Sequence, residues 1–231
     1  FIATNFSYEY VFYSLSIALF VSLFLIQKLD YEGNTTIAKP KLNDILNILK
    51  DKRFVLIYFI MFCMFFVFAG VLNVLPFRVK QISQSFSEFQ ISLLYLGYGM
   101  GILVSLGSKK IITFFKNEIN TILIAILFFL CITIFITNQN IIYLFILLFL
   151  FCIGMFTVHT VSTGLANSMK SSQKSLTSGM YLTFYYLGGA TGSLFPSIIY
   201  EYFGWNIMIY IFVLILLMVF LLTFKNRRLF F

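Results

Sequence analysis

Apolar residues along the chain form seven runs, separated by short segments that hold most of the polar and charged residues. Each run is close to the ~20 residues that a helix needs to cross ~30 Å of hydrocarbon. The pattern therefore predicts an all-α fold, a polytopic membrane helix bundle with seven transmembrane helices. The predicted runs are Val11 to Gln27, Phe54 to Phe77, Phe89 to Leu106, Ile119 to Ile136, Ile141 to Ala166, Leu176 to Tyr200 and Ile207 to Phe224.

The basic residues predict the orientation of these runs. If the first run crosses from outside to inside, all sixteen Lys and Arg residues except Arg78 and Lys80 fall on one side. Because cytoplasmic loops carry an excess of Lys and Arg, that side is predicted to be cytoplasmic. The C-terminus is then cytoplasmic as well. The residues on this side are Lys28, Lys39, Lys41, Lys50, Lys52, Arg53, Lys109, Lys110, Lys116, Lys170, Lys174, Lys225, Arg227 and Arg228.

Composition excludes several classes of protein. With 61% hydrophobic residues, 10% charged residues and a mean hydropathy of +0.97, the chain does not suit a soluble domain. Its formal charge of +8 sits in short loops beside apolar runs, where membrane topology accounts for it, so we expect the lipid bilayer and no nucleic acid as partner. The three cysteines lie inside apolar runs without CxxC spacing, so we expect no metal and no disulfide.

Catalytic patterns are also missing from the sequence. It contains one His, no acid deep inside an apolar run and no Gly-rich nucleotide loop, so we expect neither an enzyme nor a cofactor. A similar aromatic pattern precedes the first run (Phe6 to Tyr13) and the last (Phe203 to Tyr210). If these runs are equivalent, the repeat unit has six spans. An N-terminal portion with five more spans is then expected before Phe1.

Two glycine-rich stretches carry a family resemblance. One is Gly97-Tyr98-Gly99-Met100-Gly101, followed by Gly107-Ser108-Lys109-Lys110 in the next loop. The other is Tyr185-Tyr186-Leu187-Gly188-Gly189-Ala190-Thr191-Gly192-Ser193-Leu194-Phe195-Pro196. Both are similar to the eighth and eleventh helices of the major facilitator superfamily, in its bacterial efflux-permease-like branch. The loop keeps the glycine of that family's motif at Gly107 and its basic residues at Lys109 and Lys110, but it lacks the acid.

The resemblance implies a domain layout of the sixth to twelfth helices. Residues 1–28 would be the last helix of an N-terminal half, the rest of which is absent. Residues 29–53 would be a cytoplasmic linker, residues 54–224 a C-terminal six-helix bundle, and residues 225–231 a basic cytoplasmic tail. Within the linker, Leu42, Ile45, Leu46 and Leu49 share one helical face after Pro40, which predicts a short amphipathic helix at the membrane surface.

The glycines have a physical interpretation independent of any family. Close packing drives association between helices in lipid, and small residues allow it. Gly97 and Gly101 are four residues apart, as are Gly188 and Gly192, so each pair predicts a flat patch for a neighbouring helix. The patches could be static packing surfaces or contacts that rock during transport. Pro196 removes a backbone hydrogen bond and can bend its helix.

Polar and aromatic residues inside the runs are the candidates for contact with a solute. His159 and Thr163 share a helical face, and the His could shuttle a proton, donate to substrate, or simply bond a neighbouring helix while neutral. Asn73 could bond across helices or line an outer vestibule. By helical rise the two polar groups differ in depth by about 22 Å, too far for one small solute. Tyr185 and Tyr186 could stack on a solute beside Gly188.

Together these features predict a secondary transporter of a small organic solute that works by alternating access in a cell membrane, with a bacterial inner membrane favoured. Export is the leading hypothesis, with proton antiport suspected. A group that titrates during coupling is expected in the absent half. The alternatives are an importer of the same superfamily and a degenerate membrane protein without transport.

Overall fold

The computed structural model of the protein describes residues 6–29, 41–169 and 173–231. Lys170 and residues 30–40 of the predicted linker, which include Lys39 and Pro40, lie outside these residues. The described part is almost entirely helical and contains no strand, which confirms the all-α prediction. Its helices are α1 (Tyr8–Gln27), α2 (Leu42–Lys50), α3 (Lys52–Ile82), α4 (Glu88–Leu93), α5 (Met100–Phe114), α6 (Glu118–Phe135), α7 (Ile141–Met169) and α8 (Lys174–Asn226).

Helix α8 is interrupted once. A straight helix of its 53 residues would be about 80 Å long, more than twice the thickness of the hydrocarbon core. Gly204 has φ 78° and ψ 176°, a conformation that only glycine adopts readily, and it divides the helix into arms 174–203 and 205–226. These arms correspond to the sixth and seventh predicted runs. Pro196 lies within helical backbone and is buried.

The third predicted run is not one regular helix. Between α4 and α5 the backbone forms a 3₁₀ helix over Leu94–Gly99, so the span Glu88–Phe114 has a tighter middle section. The 3₁₀ helix places Tyr95 and Tyr98 beside α3, where Tyr95 donates to the carbonyl oxygen of Leu72 at 2.9 Å. Such a stretch inside a longer helix often marks a hinge. Nothing in the apolar pattern distinguished it from an α-helix.

Helix α3 is the centre of the bundle. Its most extensive contact is with α8, and its fully buried side chains include Ile57, Ile60, Met64, Val67 and Val71. Asp51 begins the helix by accepting from the backbone N–H of Arg53 at 3.0 Å, and its carboxylate pairs with the guanidinium of Arg53. The core therefore forms around one long apolar helix whose charged start lies at the predicted cytoplasmic end.

The glycine pair of α8 contacts α3 backbone to backbone. A Cβ atom placed at Gly188 would overlap the carbonyl oxygen of Phe62, and one placed at Gly192 would overlap that of Phe66. Gly188 and Gly192 are four residues apart, as are Phe62 and Phe66, so one turn of α8 matches one turn of α3. No larger residue fits at either glycine unless the helices separate. The flat patch predicted at these glycines therefore lies directly against the α3 backbone.

The second glycine pair contacts α7. A Cβ at Gly97 would lie 3.1 Å from the Sγ atom of Cys152 and from the carbonyl oxygen of Leu148, and one at Gly101 would lie 3.1 Å from the Phe156 ring. Here the neighbours are a carbonyl and two side chains, so the fit is tight but less severe than at Gly188. Both predicted glycine patches thus have a helix packed against them.

Helices α1 and α2 lie at the margin of the bundle. No residue of α1 is buried. The predicted amphipathic helix is present as α2, with Leu42, Leu46 and Leu49 exposed and Ile48 buried against the core. The leucines of the predicted apolar face are therefore available to a membrane surface, while Ile48 attaches the helix to the bundle.

We predict that Gly188→Ala lowers the free energy of unfolding by roughly 1–3 kcal/mol, because the new methyl group meets backbone atoms that cannot move aside. Unfolding by SDS titration in lipid–detergent micelles, followed by far-ultraviolet circular dichroism, measures the change. Gly179→Ala in the same helix is the matched control, since nothing lies within 4 Å of that position. It should be neutral or stabilising by under about 1 kcal/mol. Equal stability of the two variants would contradict the packing described above.

Candidate functional site

A cleft of about 410 Å³ opens between α3, the 3₁₀ helix and the first arm of α8. Most of its wall comes from one face of α3, where Phe65, Ala69, Leu72, Asn73 and Pro76 follow helical spacing. The opposite side is formed by Tyr95, Tyr98 and Ser193. All eight lining residues are uncharged, so the cleft offers aromatic faces, one amide and hydroxyl groups.

Asn73 ties α3 to α8 at one end of the cleft. Its amide nitrogen donates to the carbonyl oxygen of Ser193 at 2.8 Å and to the hydroxyl of Ser197 at 3.1 Å. The side chain remains exposed on the cleft side. Asn73 therefore bonds across helices and is also exposed at the cleft.

Phe65 connects the cleft to a second group of aromatic residues. Its ring stacks on Tyr185 with centroids 3.9 Å apart and an angle of 6° between the planes. Tyr185 in turn lies 4.7 Å from the imidazole of His159 and 5.1 Å from the ring of Tyr186. The result is a continuous aromatic surface that runs from the cleft to α7.

His159 is bonded to the neighbouring helix. The Tyr181 hydroxyl lies 3.0 Å from His159 Nδ1 and 3.1 Å from the His159 carbonyl oxygen. If Nδ1 carries the proton, the ring donates to the Tyr181 oxygen and the hydroxyl donates to the carbonyl oxygen; if Nδ1 is unprotonated, the hydroxyl donates to one of the two acceptors. Thr163 donates to the same carbonyl oxygen at 2.7 Å. Tyr181 is buried, and His159 and Thr163 are partly buried.

The hydroxyl of Tyr185, unlike that of Tyr181, has no hydrogen-bond partner among the described residues. Its oxygen is not among the buried unpartnered atoms of residues 6–29, 41–169 and 173–231. It is therefore a donor and acceptor open to a solute. Tyr186 is 63% exposed and faces away from the packed core.

The predicted site residues fall into two groups. His159, Thr163 and Tyr185 lie together around Tyr181, whereas Asn73 lies with Ser193 at the other end of the aromatic surface. The rise of α3 from Phe65 to Asn73 is about 12 Å. Gly107, Lys109 and Lys110 were predicted to lie in a loop, but they lie within α5, because the helix continues to Phe114. The two lysines are exposed.

Sequence reasoning missed four residues of the cleft, namely Phe65, Ala69, Leu72 and Ser193. Phe65 and Ala69 could have been predicted from Asn73, because they precede it at helical intervals on the same face of α3. Ser193, the partner of Asn73 on α8, could have been predicted from the glycine spacing, because it is next to Gly192. Aromatic abundance hid Phe65, as the chain has 31 Phe residues.

Comparison with known proteins decides the family. The sequence model described as Major Facilitator Superfamily matches residues 1–177. The chain belongs to the Major Facilitator Superfamily. It is accordingly a multi-pass membrane protein, and its family points to a transporter rather than an enzyme. No curated protein sequence matches the chain.

A solved transporter shares the fold. The in meso crystal structure of the POT family transporter PepTSo superposes with a TM-score of 0.64 over 77% of this chain, at 18% sequence identity. At that identity the likeness concerns the fold alone. The chain spans 38% of the length of PepTSo, so the aligned region corresponds to less than half of that transporter.

We predict that Tyr181→Phe lowers the free energy of unfolding by about 1 kcal/mol, because His159 loses its partner on the next helix in a setting without competing water. SDS titration monitored by circular dichroism measures the change. Tyr185→Phe is the control of identical chemistry, and it should change stability by less than about 0.5 kcal/mol since its hydroxyl has no protein partner among the described residues. If Tyr185→Phe costs as much as Tyr181→Phe, the hydrogen bond is not what distinguishes the two residues.

Proposed function

We propose that this Major Facilitator Superfamily chain is part of a secondary transporter that exports a small organic solute by alternating access. The observation that carries the proposal is the cleft between α3, the 3₁₀ helix and α8, which borders a hinge-type backbone and a tight helix pair. Alternating access requires a site between parts that move relative to each other. The cleft lies between the α3–α8 pair and the 3₁₀ helix, which we propose to be two such parts.

The chemistry of the cleft suggests a class of solute. Aromatic rings of Phe65, Tyr95 and Tyr98 provide apolar faces, while Asn73 and Ser193 provide a few directed polar groups. A site lined in this way binds a largely apolar, uncharged organic molecule with one or two polar groups, because a charged solute would find no counter-charge in the lining. The free hydroxyl of Tyr185 extends the same surface toward His159.

The parts that move are also part of the proposal. The first arm of α8 and α3 share backbone contacts at Gly188 and Gly192, which favours their movement as one body. The 3₁₀ helix Leu94–Gly99 is the bending point that lets α5 change its angle against that body. Of the two interpretations of the glycine patches, we therefore favour static packing for Gly188 and Gly192.

A complete translocation path needs more surface than this bundle supplies. Helix α1 has no buried residue, and α5 and the first arm of α8 expose apolar faces, including Ile102, Leu103 and Leu194. We propose that a second helical half of the same polypeptide covers part of this surface. The layout follows the domains expected from the sequence: 1–28, 29–53, 54–224 and 225–231. The basic end of the bundle then faces the cytoplasm of a bacterial inner membrane.

The first experiment identifies a solute by screening for protection of the cleft. With Cys63, Cys131 and Cys152 replaced by Ala, a single Asn73→Cys residue should react with a membrane-impermeant maleimide, because Asn73 is exposed in the cleft. A transported solute should slow this reaction by at least about threefold at saturation. Candidate solutes are screened in proteoliposomes, with the reaction followed by fluorescence on a gel.

The matched control is Phe77→Cys on the same helix, which is exposed but does not line the cleft. Its reaction should not depend on solute. If no uncharged organic solute in a broad panel protects Asn73→Cys, or if Phe77→Cys is protected equally, the cleft is not the binding site. Protection without movement of solute across the bilayer would indicate the degenerate, non-transporting alternative.

Direction and proton coupling are tested with the protecting solute. We predict that a pH gradient drives its accumulation in inside-out vesicles, as export by proton antiport requires, whereas an importer would accumulate it in right-side-out vesicles. His159 is the proton-carrying candidate of this bundle, and His159→Gln keeps a side-chain polar group beside Tyr181. It should lower gradient-driven accumulation at least tenfold while leaving solute protection at Asn73→Cys unchanged. Accumulation that survives in His159→Gln would assign coupling to another residue.

A further inference from the structure

A second cleft lies on the perimeter of the bundle, away from the candidate transport site. It has a volume of about 470 Å³ and lies between the α5–α6 turn, α6 and the end of α8. None of its lining residues lines the cleft at Asn73. It combines an apolar floor with two cations, Lys116 and Arg227, that come from different parts of the chain.

The two cations are available to an external anion. Within the described residues the ion pair of Arg53 with Asp51 accounts for the salt bridges, so neither Lys116 nor Arg227 is paired with a carboxylate there. Glu118, the nearest acid in sequence, forms no such pair with a described residue either. The guanidinium of Arg227 lies 4.1 Å above the ring of Phe224, which holds it over the cleft without neutralising it.

Lys116 occupies a conformation that disfavours lysine. Its φ of 76° is the only positive value at a residue other than glycine in the described residues, at the position just after α5 where Gly or Asn usually ends a helix. The left-handed conformation costs a lysine roughly 1–2 kcal/mol. A lysine at this position is consistent with a role for its side chain outside the fold.

The cleft spans much of one membrane leaflet. Along α6 its wall extends from Asn120 to Leu127, a rise of about 10 Å, and Lys116 precedes the helix; half of a ~30 Å hydrocarbon core is about 15 Å. Ile124 and Leu127 are 42% and 44% exposed, so this wall faces outward rather than into the bundle. The charges thus lie at one end of an outward-facing apolar groove, where the headgroup of a lipid in the same leaflet would lie.

We propose that this groove binds one anionic diacyl phospholipid, whose phosphate contacts Lys116 and Arg227 and whose acyl chain lies along Ile124, Leu127 and Phe220. Basic pockets between membrane helices recognise anionic headgroups by charge, and the apolar groove adds chain contact that a free phosphate cannot make. The site is independent of the proposed transport function, because it uses neither the Asn73 cleft nor His159.

The test measures phospholipid retention by the full chain. Purified protein is titrated with phosphatidylglycerol or phosphatidylcholine, and native mass spectrometry reports the bound lipid. The wild-type chain should retain phosphatidylglycerol at least tenfold better than phosphatidylcholine. Lys116→Gln together with Arg227→Gln should weaken retention of phosphatidylglycerol roughly 30-fold, since each basic residue near a membrane surface contributes about a fivefold gain.

Two further variants make the result specific. Lys109→Gln with Lys110→Gln removes the same charge from the same end of the bundle but lies outside the groove, and it should weaken retention less than about threefold. Lys116→Arg with Arg227→Lys keeps both charges and should retain the lipid, which separates charge from misfolding. Ile124→Trp fills the groove and should weaken retention at least fivefold with the charges intact.

Several outcomes would overturn the proposal. Equal losses in the Lys116/Arg227 and Lys109/Lys110 pairs would mean general attraction of anions to a basic protein. Equal retention of phosphatidylglycerol and phosphatidylcholine would mean an apolar surface without headgroup recognition. Displacement of the lipid by millimolar inorganic phosphate would mean a phosphate site in which the groove has no part.

Discussion

The close contact between α3 and the first arm of α8 determines the rest of this structure. Helices in lipid gain little from burying apolar surface against each other, so they associate through close packing and hydrogen bonds. Gly188 and Gly192 let the two backbones meet over a full turn. Hydrogen bonds close the interface at both ends, from Tyr58 to the Thr177 carbonyl oxygen at 3.1 Å and from Asn73 to that of Ser193. The aromatic surface and the cleft lie beside this pair because Phe65 and Tyr185 belong to it.

Many hydroxyl groups of the bundle donate to the backbone of their own helix, which leaves few of them for a solute. Thr157, Thr163, Thr183 and Thr191 donate to backbone carbonyl oxygens one turn earlier in their own helices. Such bonds remove the cost of placing a hydroxyl in hydrocarbon without any contact between helices. The groups that differ are the ones that connect helices or face open space. Asn73, Tyr181 and Tyr185 are therefore the most informative polar residues of the candidate site, because they bond across helices or face open space.

The sequence was a good guide to elements and a poor guide to contacts. Runs of about 20 apolar residues form helices in a bilayer, so the membrane helices could be predicted. The short α2 could be predicted from the spacing of its apolar residues. Glycine spacing identified Gly188 and Gly192 as a packing surface, but not Phe62 and Phe66 as its neighbours, since nothing in a Phe-rich chain marks one Phe backbone from another.

The 3₁₀ helix and the two-group site depended on tertiary structure. The apolar pattern of Leu94–Gly99 suits an α-helix equally well, and the tighter form accompanies the contacts of Tyr95 with α3 and Gly97 with α7. Counting residues predicts that His159 and Asn73 differ in depth, and no hydrogen bond joins the two within the described residues. The partner of His159, Tyr181, is on another helix, and residue counting within one helix cannot reveal it.

The rigidity of the α3–α8 pair during transport is the central claim, and double electron–electron resonance measures it most directly. Spin labels at Val55 and Leu187, both exposed, report on this pair, while labels at Leu187 and Leu103 report on α5 against it. The account predicts one narrow distance for Val55–Leu187 with and without a protecting solute, and a shift of several ångströms for Leu187–Leu103. A solute-dependent shift in Val55–Leu187, with Leu187–Leu103 unchanged, would contradict it.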